Sequence, residues 1–209
     1  MLIDNTVKDF LYKVAGNDPV PGGGSIAALC GAVAVSLGAM VAGLTLGKKK
    51  YADVECDMLK ARNEFIGASQ FFMDAIDKDS EAYRKVFECF KMPKSNDEEI
   101  AIRDKSIQEA TIHAATVPMD VARQACSIMN TINMVAEKGN RNAITDACVA
   151  MMSARNAVLA ALLNVRINLT SIHDKAIAMS MQNEADQLEK IAIETEKTLL
   201  NRINKELHL

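Results

Sequence analysis

Tryptophan is absent from the 209 residues, aromatic side chains of all kinds make up 4%, and only 4 prolines occur. These shortages exclude a β-sandwich core built from aromatic and β-branched strands, and they leave long helices with few breakers. An excess of charge of one sign is also missing, since 24 Lys and Arg stand against 27 Asp and Glu for a formal net of -3. That balance excludes nucleic-acid binding through an overall basic surface, which needs clustered cations to neutralise phosphates. The 5 cysteines, Cys30, Cys56, Cys89, Cys126 and Cys148, are odd in number, dispersed and without a C-x-x-C pair. Neither a zinc site nor a disulfide framework is expected, and a reducing cytoplasm is the expected compartment. The opening "MLIDNTVKDF" carries acids where a secretory signal needs a basic start and an apolar stretch, so no export signal is read. One run, Ile26 to Leu46, is long enough to span a bilayer, but it is mostly Ala and Gly, whose insertion is weak, and no membrane partner is expected.

What is there is alanine, methionine and helical periodicity. Hydrophobic residues reach 49% with 24% charged, the balance of one compact domain, here residues 1–209. The predicted fold class is all-α: a single-domain helical bundle around a buried Ala/Gly-rich central helix. A first helix from about Thr6 to Ala15 puts Val7, Phe10, Leu11 and Val14 on one face, and "GNDPVPGGG" ends it. Ser25 is the expected N-cap of the next helix, along which Ala27, Gly31, Ala34, Gly38 and Ala42 form a strip for close helix approach. Further helices are predicted over Val54–Phe90, Asp97–Thr116, Met119–Ala136 after a break at Pro118, Ala143–Leu169 and Ile177–Leu207. In the last, Leu188, Ile191, Leu199 and Ile203 suit packing on the body or on a second subunit.

The glycines beside lysines invite a phosphate-loop reading that the spacing excludes. "GLTLGKKKY" has Gly43 and Gly47 one residue too close and no Ser or Thr after Lys48, and "GGGSIA" follows no strand. Gly22, Gly23 and Gly24 open a backbone onto a helix N-terminus able to attract an anion such as a carboxylate, or simply form a capping turn. Lys48, Lys49 and Lys50, followed by Tyr51, sit at the far end of that helix, either holding a poly-carboxylate or satisfying its C-terminal dipole. Asp146 is the only charge between Arg141 and Arg155, and Asp79 interrupts a stripe of Ile76, Tyr83, Val86 and Phe90. Each is a candidate for proton transfer or a structural hydrogen-bonding acid. Asn164 and Asn168, one turn apart, could read the edge of a heterocycle or bond within the core. His113 and His173 have no metal-ligand spacing and are read as structural, and His208 as an inert tail residue.

In this order, "PVPGGGSIAAL", "GKKKY", "DSEAY", the "VP" of "AATVP", "GNRNAITDA" and "NVRIN" resemble the cyclodeaminase/cyclohydrolase family over nearly the whole chain. That family comprises the C-terminal half of formiminotransferase-cyclodeaminase and free-standing methenyltetrahydrofolate cyclohydrolases. The resemblance implies a homodimer performing one-carbon chemistry on tetrahydrofolate without metal or cofactor. Asp79 and Asp146 are then the catalytic candidates. Gly22, Gly23, Gly24, Ser25, Lys48, Lys49, Lys50, Tyr51, Asn164 and Asn168 are the candidates for binding a folate, polyglutamylated forms included. A formiminotetrahydrofolate cyclodeaminase is the first expectation, a methenyltetrahydrofolate cyclohydrolase the second, and a non-catalytic folate-binding or scaffold dimer the third. With no room for a formiminotransferase half, a separate enzyme or solution is expected to supply the substrate.

Overall fold

Six α-helices and two short 3-10 turns build the described residues, 1–206, of the computed structural model, and no strand occurs among them. Helix α1 (Val7–Val14) starts at Thr6, whose hydroxyl accepts the Asp9 N–H at 3.1 Å. Of the face expected to pack, only Phe10 is buried; Val7 and Leu11 are exposed, because this short helix meets the bundle along one edge.

Helix α2 (Gly23–Thr45) begins earlier than expected, with Gly22 rather than Ser25 at its N-cap. Ser25 lies inside the first turn, fully buried, and its hydroxyl donates to the Ile76 carbonyl at 2.9 Å. The strip of small residues is buried as its spacing requires. A Cβ on Gly31 would lie 2.4 Å from the Phe72 ring, and one on Gly38 2.8 Å from the Phe65 ring. Helix α3 (Glu55–Phe90) therefore rests its rings on the α2 backbone. A 3-10 turn, Lys49–Val54, joins the two, and α3 runs without interruption.

The break expected at Pro118 does not occur: α4 runs continuously from Asp97 to Lys138. Proline removes one helical N–H, the donor that would reach the Ala114 carbonyl. The side chain of Asn168, on α5 (Ile144–Leu169), donates to that carbonyl at 3.0 Å, so the orphaned acceptor has a partner. Helix α2 packs between α3 and α5, α4 closes the other side, and α6 (Lys175–Glu206) straps α4 and α5. Leu199 and Ile203 of α6 are buried as expected and Leu188 is half-buried, whereas Ile191 is exposed. The stripe that makes contact is instead Ala185, Ala192 and Leu199, seven residues apart, flanked by ion pairs such as Arg123–Glu184 and Arg166–Asp186. Leu207, the expected end of this helix, and His208 lie outside the described residues.

Helix α2 and the segment Arg141–Leu169 are long and apolar enough by length and composition to cross a membrane, and 50% of each apolar window is buried. Their inner sides form the core. On their outer sides Val33, Met40 and Leu44 of α2, and Val149, Met152, Leu163 and Ile167 of α5, are exposed. Asn156 on α5 donates to the Cys30 sulfur of α2 at 3.1 Å, so these outer sides adjoin.

Candidate active site

The start of α2, the last third of α3, the middle of α4 and the last turns of α5 converge on a cleft of about 320 Å³. Gly22, Gly23 and Gly24 form one wall, Asp79, Tyr83 and Val86 a second, and Ala114, Asn164, Ile167 and Asn168 a third. Six residues singled out in the sequence thus meet here: the three glycines, Asp79 and the two asparagines.

Asp79 is held against the α2 N-terminus. Its Oδ2 accepts the Ser25 hydroxyl at 3.2 Å, and the Ser25 and Ser80 hydroxyls lie 3.3 Å apart, both buried. Gly24 makes room for the acid, since a Cβ there would stand 1.9 Å from Asp79 Oδ1. Burial pushes the Asp79 carboxyl above its ordinary range, and hydrogen bonding from Ser25 opposes the shift. A partly desolvated carboxyl beside helix N–H groups is suited to take and return a proton. Ser25, expected among the substrate-binding residues, is fully buried behind Asp79.

Asn164 donates its amide to the Ala160 carbonyl at 2.8 Å, and Asn168 donates to Ala114 and to the Asn164 carbonyl at 2.9 Å. Both N–H groups of Asn168 and one of the two on Asn164 are so engaged, so each amide keeps its oxygen for a ligand, Asn164 keeps one N–H besides, and the site offers two acceptors one helical turn apart. The core role and the reading role of these residues are therefore compatible.

The remaining candidates lie elsewhere in the chain. Lys48, Lys49 and Lys50 are exposed beyond the other end of α2, and its 23 residues place them about 34 Å from Gly23. Tyr51 accepts the Arg141 N–H through its hydroxyl at 3.1 Å, and Lys50 lies over its ring at 5.4 Å. Asp146 is half-buried rather than buried, in the first turn of α5, about 27 Å along that helix from Asn164. The chain therefore collects its marked residues at two opposite ends of the α2–α5 pair. His113 and His173 are exposed and line no part of the cleft.

Sequence reasoning treated Tyr83, Val86 and Phe90 as core, but Tyr83 is 45% exposed and forms the cleft wall. Aromatic scarcity could have flagged it. Pro19, Val20, Ala114 and Ile167 were also missed, and as ordinary apolar or turn residues they carry no signal of their own.

The family model described as formiminotransferase-cyclodeaminase matches residues 6–187. A methenyltetrahydrofolate cyclohydrolase of Methylorubrum extorquens is 38% identical over 185 residues, covering 88% of this chain and 89% of that protein. The mouse formimidoyltransferase-cyclodeaminase is 30% identical over 83% of this chain, which spans 32% of that longer protein. The crystal structure of a formiminotetrahydrofolate cyclodeaminase from Thermotoga maritima superposes with a TM-score of 0.88 at 30% identity, covering 99% of this chain and 100% of the other. Matched by that model over most of its length, and by a relative of similar size nearly end to end, the chain belongs to the formiminotransferase-cyclodeaminase family.

Proposed function

We propose that the cleft binds a tetrahydrofolate and that Asp79 moves protons at the one-carbon unit between N5 and N10. The observation that carries this reading is a single carboxyl in the cleft, its Oδ2 fixed by Ser25 and its Oδ1 lying over the Gly24 backbone. The Asn164 and Asn168 oxygens would accept the N–H groups along the edge of the pterin ring.

The cyclohydrolase reading is supported by the 38% identity and matched length of the Methylorubrum relative. Water adds to the methenyl carbon as Asp79 takes its proton. Asp79 returns that proton to N5 as the carbon–N5 bond breaks, and the adduct hydroxyl loses its proton to solvent as the carbonyl forms, giving 10-formyltetrahydrofolate. The cyclodeaminase reading, the first expectation from sequence, is supported by the Thermotoga structure. N10 attacks the formimino carbon, and Asp79 carries the N10 proton to the adduct nitrogen. With one further proton from solvent, ammonia leaves and 5,10-methenyltetrahydrofolate forms. Both routes need one carboxyl able to hold a proton and release it at the same carbon.

The outer apolar side of α2 and α5 supports the homodimer. An antiparallel two-fold pairing of this surface would bring the Lys48–Tyr51 end and Asp146 of one copy toward the glycine end of the other. In that arrangement both groups of marked residues serve one site, with Asp146 from the second copy as the other proton-transfer candidate.

The test supplies 5,10-methenyltetrahydrofolate and, separately, formiminotetrahydrofolate while methenyl absorbance and ammonia are followed. Loss of absorbance from the first marks the cyclohydrolase, and a gain with one ammonia per turnover from the second marks the cyclodeaminase. Activity on both is ranked by kcat/KM. Silence in both, from folded protein that still binds folate, would overturn catalysis and leave the binding dimer.

A further inference from the structure

The active-site cleft does not end at Tyr83. Pro19, Val20 and Tyr83 also line a second cleft of about 380 Å³, which continues along the outer face of α3 past Arg84, Phe87 and Lys91. Tyr83 and Phe87, one turn apart, are 45% and 53% exposed, in a chain with only 4% aromatic residues. Exposed rings at helical spacing form a surface on which a flat group can lie. Two cations line the same cleft, Arg84 beside Tyr83 and Lys91 one turn past Phe87. Lys91 lies 4.6 Å over the Phe87 ring, and neither Lys91 nor Arg84 is within ion-pair distance of a carboxylate among the described residues, although Asp18 and Glu88 line the same cleft. These cations remain available to an incoming anion. Within one copy the lysine run expected to bind carboxylates lies about 34 Å from the glycine loop along α2, so the cations that a single chain sets beside this cleft are Arg84 and Lys91.

We infer that this second cleft is the subsite for the aminobenzoyl-glutamate part of the substrate. The ring lies on Tyr83 and Phe87, and the glutamate carboxylates meet Arg84 and Lys91. The inference rests on the proposed tetrahydrofolate substrate and adds where its acidic end goes. Along α3, Arg84 and Lys91 lie five and twelve residues beyond Asp79, a rise of about 8 and 18 Å. That interval is of the order of an aminobenzoyl-glutamate reaching out from a pterin held at Asn164 and Asn168. Arginine offers a planar pair of donors to a carboxylate, which makes Arg84 the stronger anchor.

The test compares two substrates that differ only in the glutamate: 5,10-methenyltetrahydrofolate and its pteroate counterpart, with the formimino pair run alongside. Wild type should prefer the folate in kcat/KM, and added salt should shrink the preference. In Arg84→Ala/Lys91→Ala the preference should fall about 10-fold through KM, as expected for two partly exposed charge pairs, while kcat and the pteroate rate stay as in wild type. Arg84→Glu should reverse the effect of salt on the folate. Both positions are exposed, so circular dichroism should report an unchanged fold. An unchanged preference in the double variant overturns the subsite, and so does a wild type that does not distinguish folate from pteroate. Absence of turnover by wild type on every substrate would instead remove the tetrahydrofolate reading itself.

Discussion

Gly24→Ala adds one methyl group at the point where α2 meets Asp79. The new Cβ would stand 1.9 Å from Oδ1, 2.4 Å from Cγ and 2.7 Å from Oδ2. Non-bonded atoms settle near 3.5 Å, so the carboxyl must retreat by about 1.5 Å, giving up its 3.2 Å bond from Ser25. Misplacing a reacting group by about 1 Å can cost about 100-fold in rate, and kcat should fall by at least that much. The fold should survive, since alanine is favoured over glycine in a helix by about 1 kcal/mol, which offsets part of the strain. The assay pairs initial rates on the methenyl and formimino substrates with a thermal melt. Gly67→Ala is the control, because nothing lies within 4 Å of its added Cβ. It should leave the rate unchanged and raise the melting temperature slightly. A Gly24→Ala enzyme within about threefold of wild-type kcat would refute the claim that the Asp79 position governs the chemistry.

Asp79→Asn should lower kcat by roughly 100-fold to 10,000-fold while raising the melting temperature at pH 7 by a few degrees. The sign follows from the raised carboxyl: between the unfolded value of 3.8 and the higher folded one the native chain holds the extra proton, so stability falls as pH rises through that window, and asparagine removes the loss. A destabilised Asp79→Asn variant would contradict this. Coexpressing Asp79→Asn with Asp146→Asn should restore about a quarter of wild-type activity if a second copy completes each site, since half the dimers are mixed and each carries one intact site. No recovery from assembled mixed dimers would contradict the shared site. Met152→Glu, at an exposed position of the apolar α2–α5 side, should shift the mass measured by light scattering toward one chain, and an unchanged dimer would move the interface elsewhere. Prolonged chelation should leave the rate unaltered, and a loss restored by zinc would show a required metal.

Helical content was legible because it depends on local properties: alanine-rich periodicity, few breakers and turn signals at Gly16, Gly22 and Gly139. Asp79 was legible as a charge interrupting an apolar pattern. Its neighbours were not, since an apolar stripe reads alike whether it faces core or cleft, and only packing exposes Tyr83 while burying Ile76. Ser25 was misread because hydroxyls favour N-caps, and the long-range bonds to Ile76 and Asp79 that hold it inside the helix leave no mark at its own position. Distance was the other blind spot. Sequence order set the glycine loop and the lysine run in one expected site, whereas helix length places them at opposite ends of a single copy, so that only a second copy could unite them.

The proline inside α4 has a consequence for inheritance. By leaving the Ala114 carbonyl without a backbone donor, Pro118 makes an opening that an amide from α5 fills, and that amide belongs to a cleft residue. Two positions fifty residues apart thus act as a lock and its key. Replacing the proline returns a competing donor to the carbonyl, while replacing Asn168 strands the acceptor, so each substitution is least harmful in the company of the other. A lineage drifting at this site should gain or lose the two together.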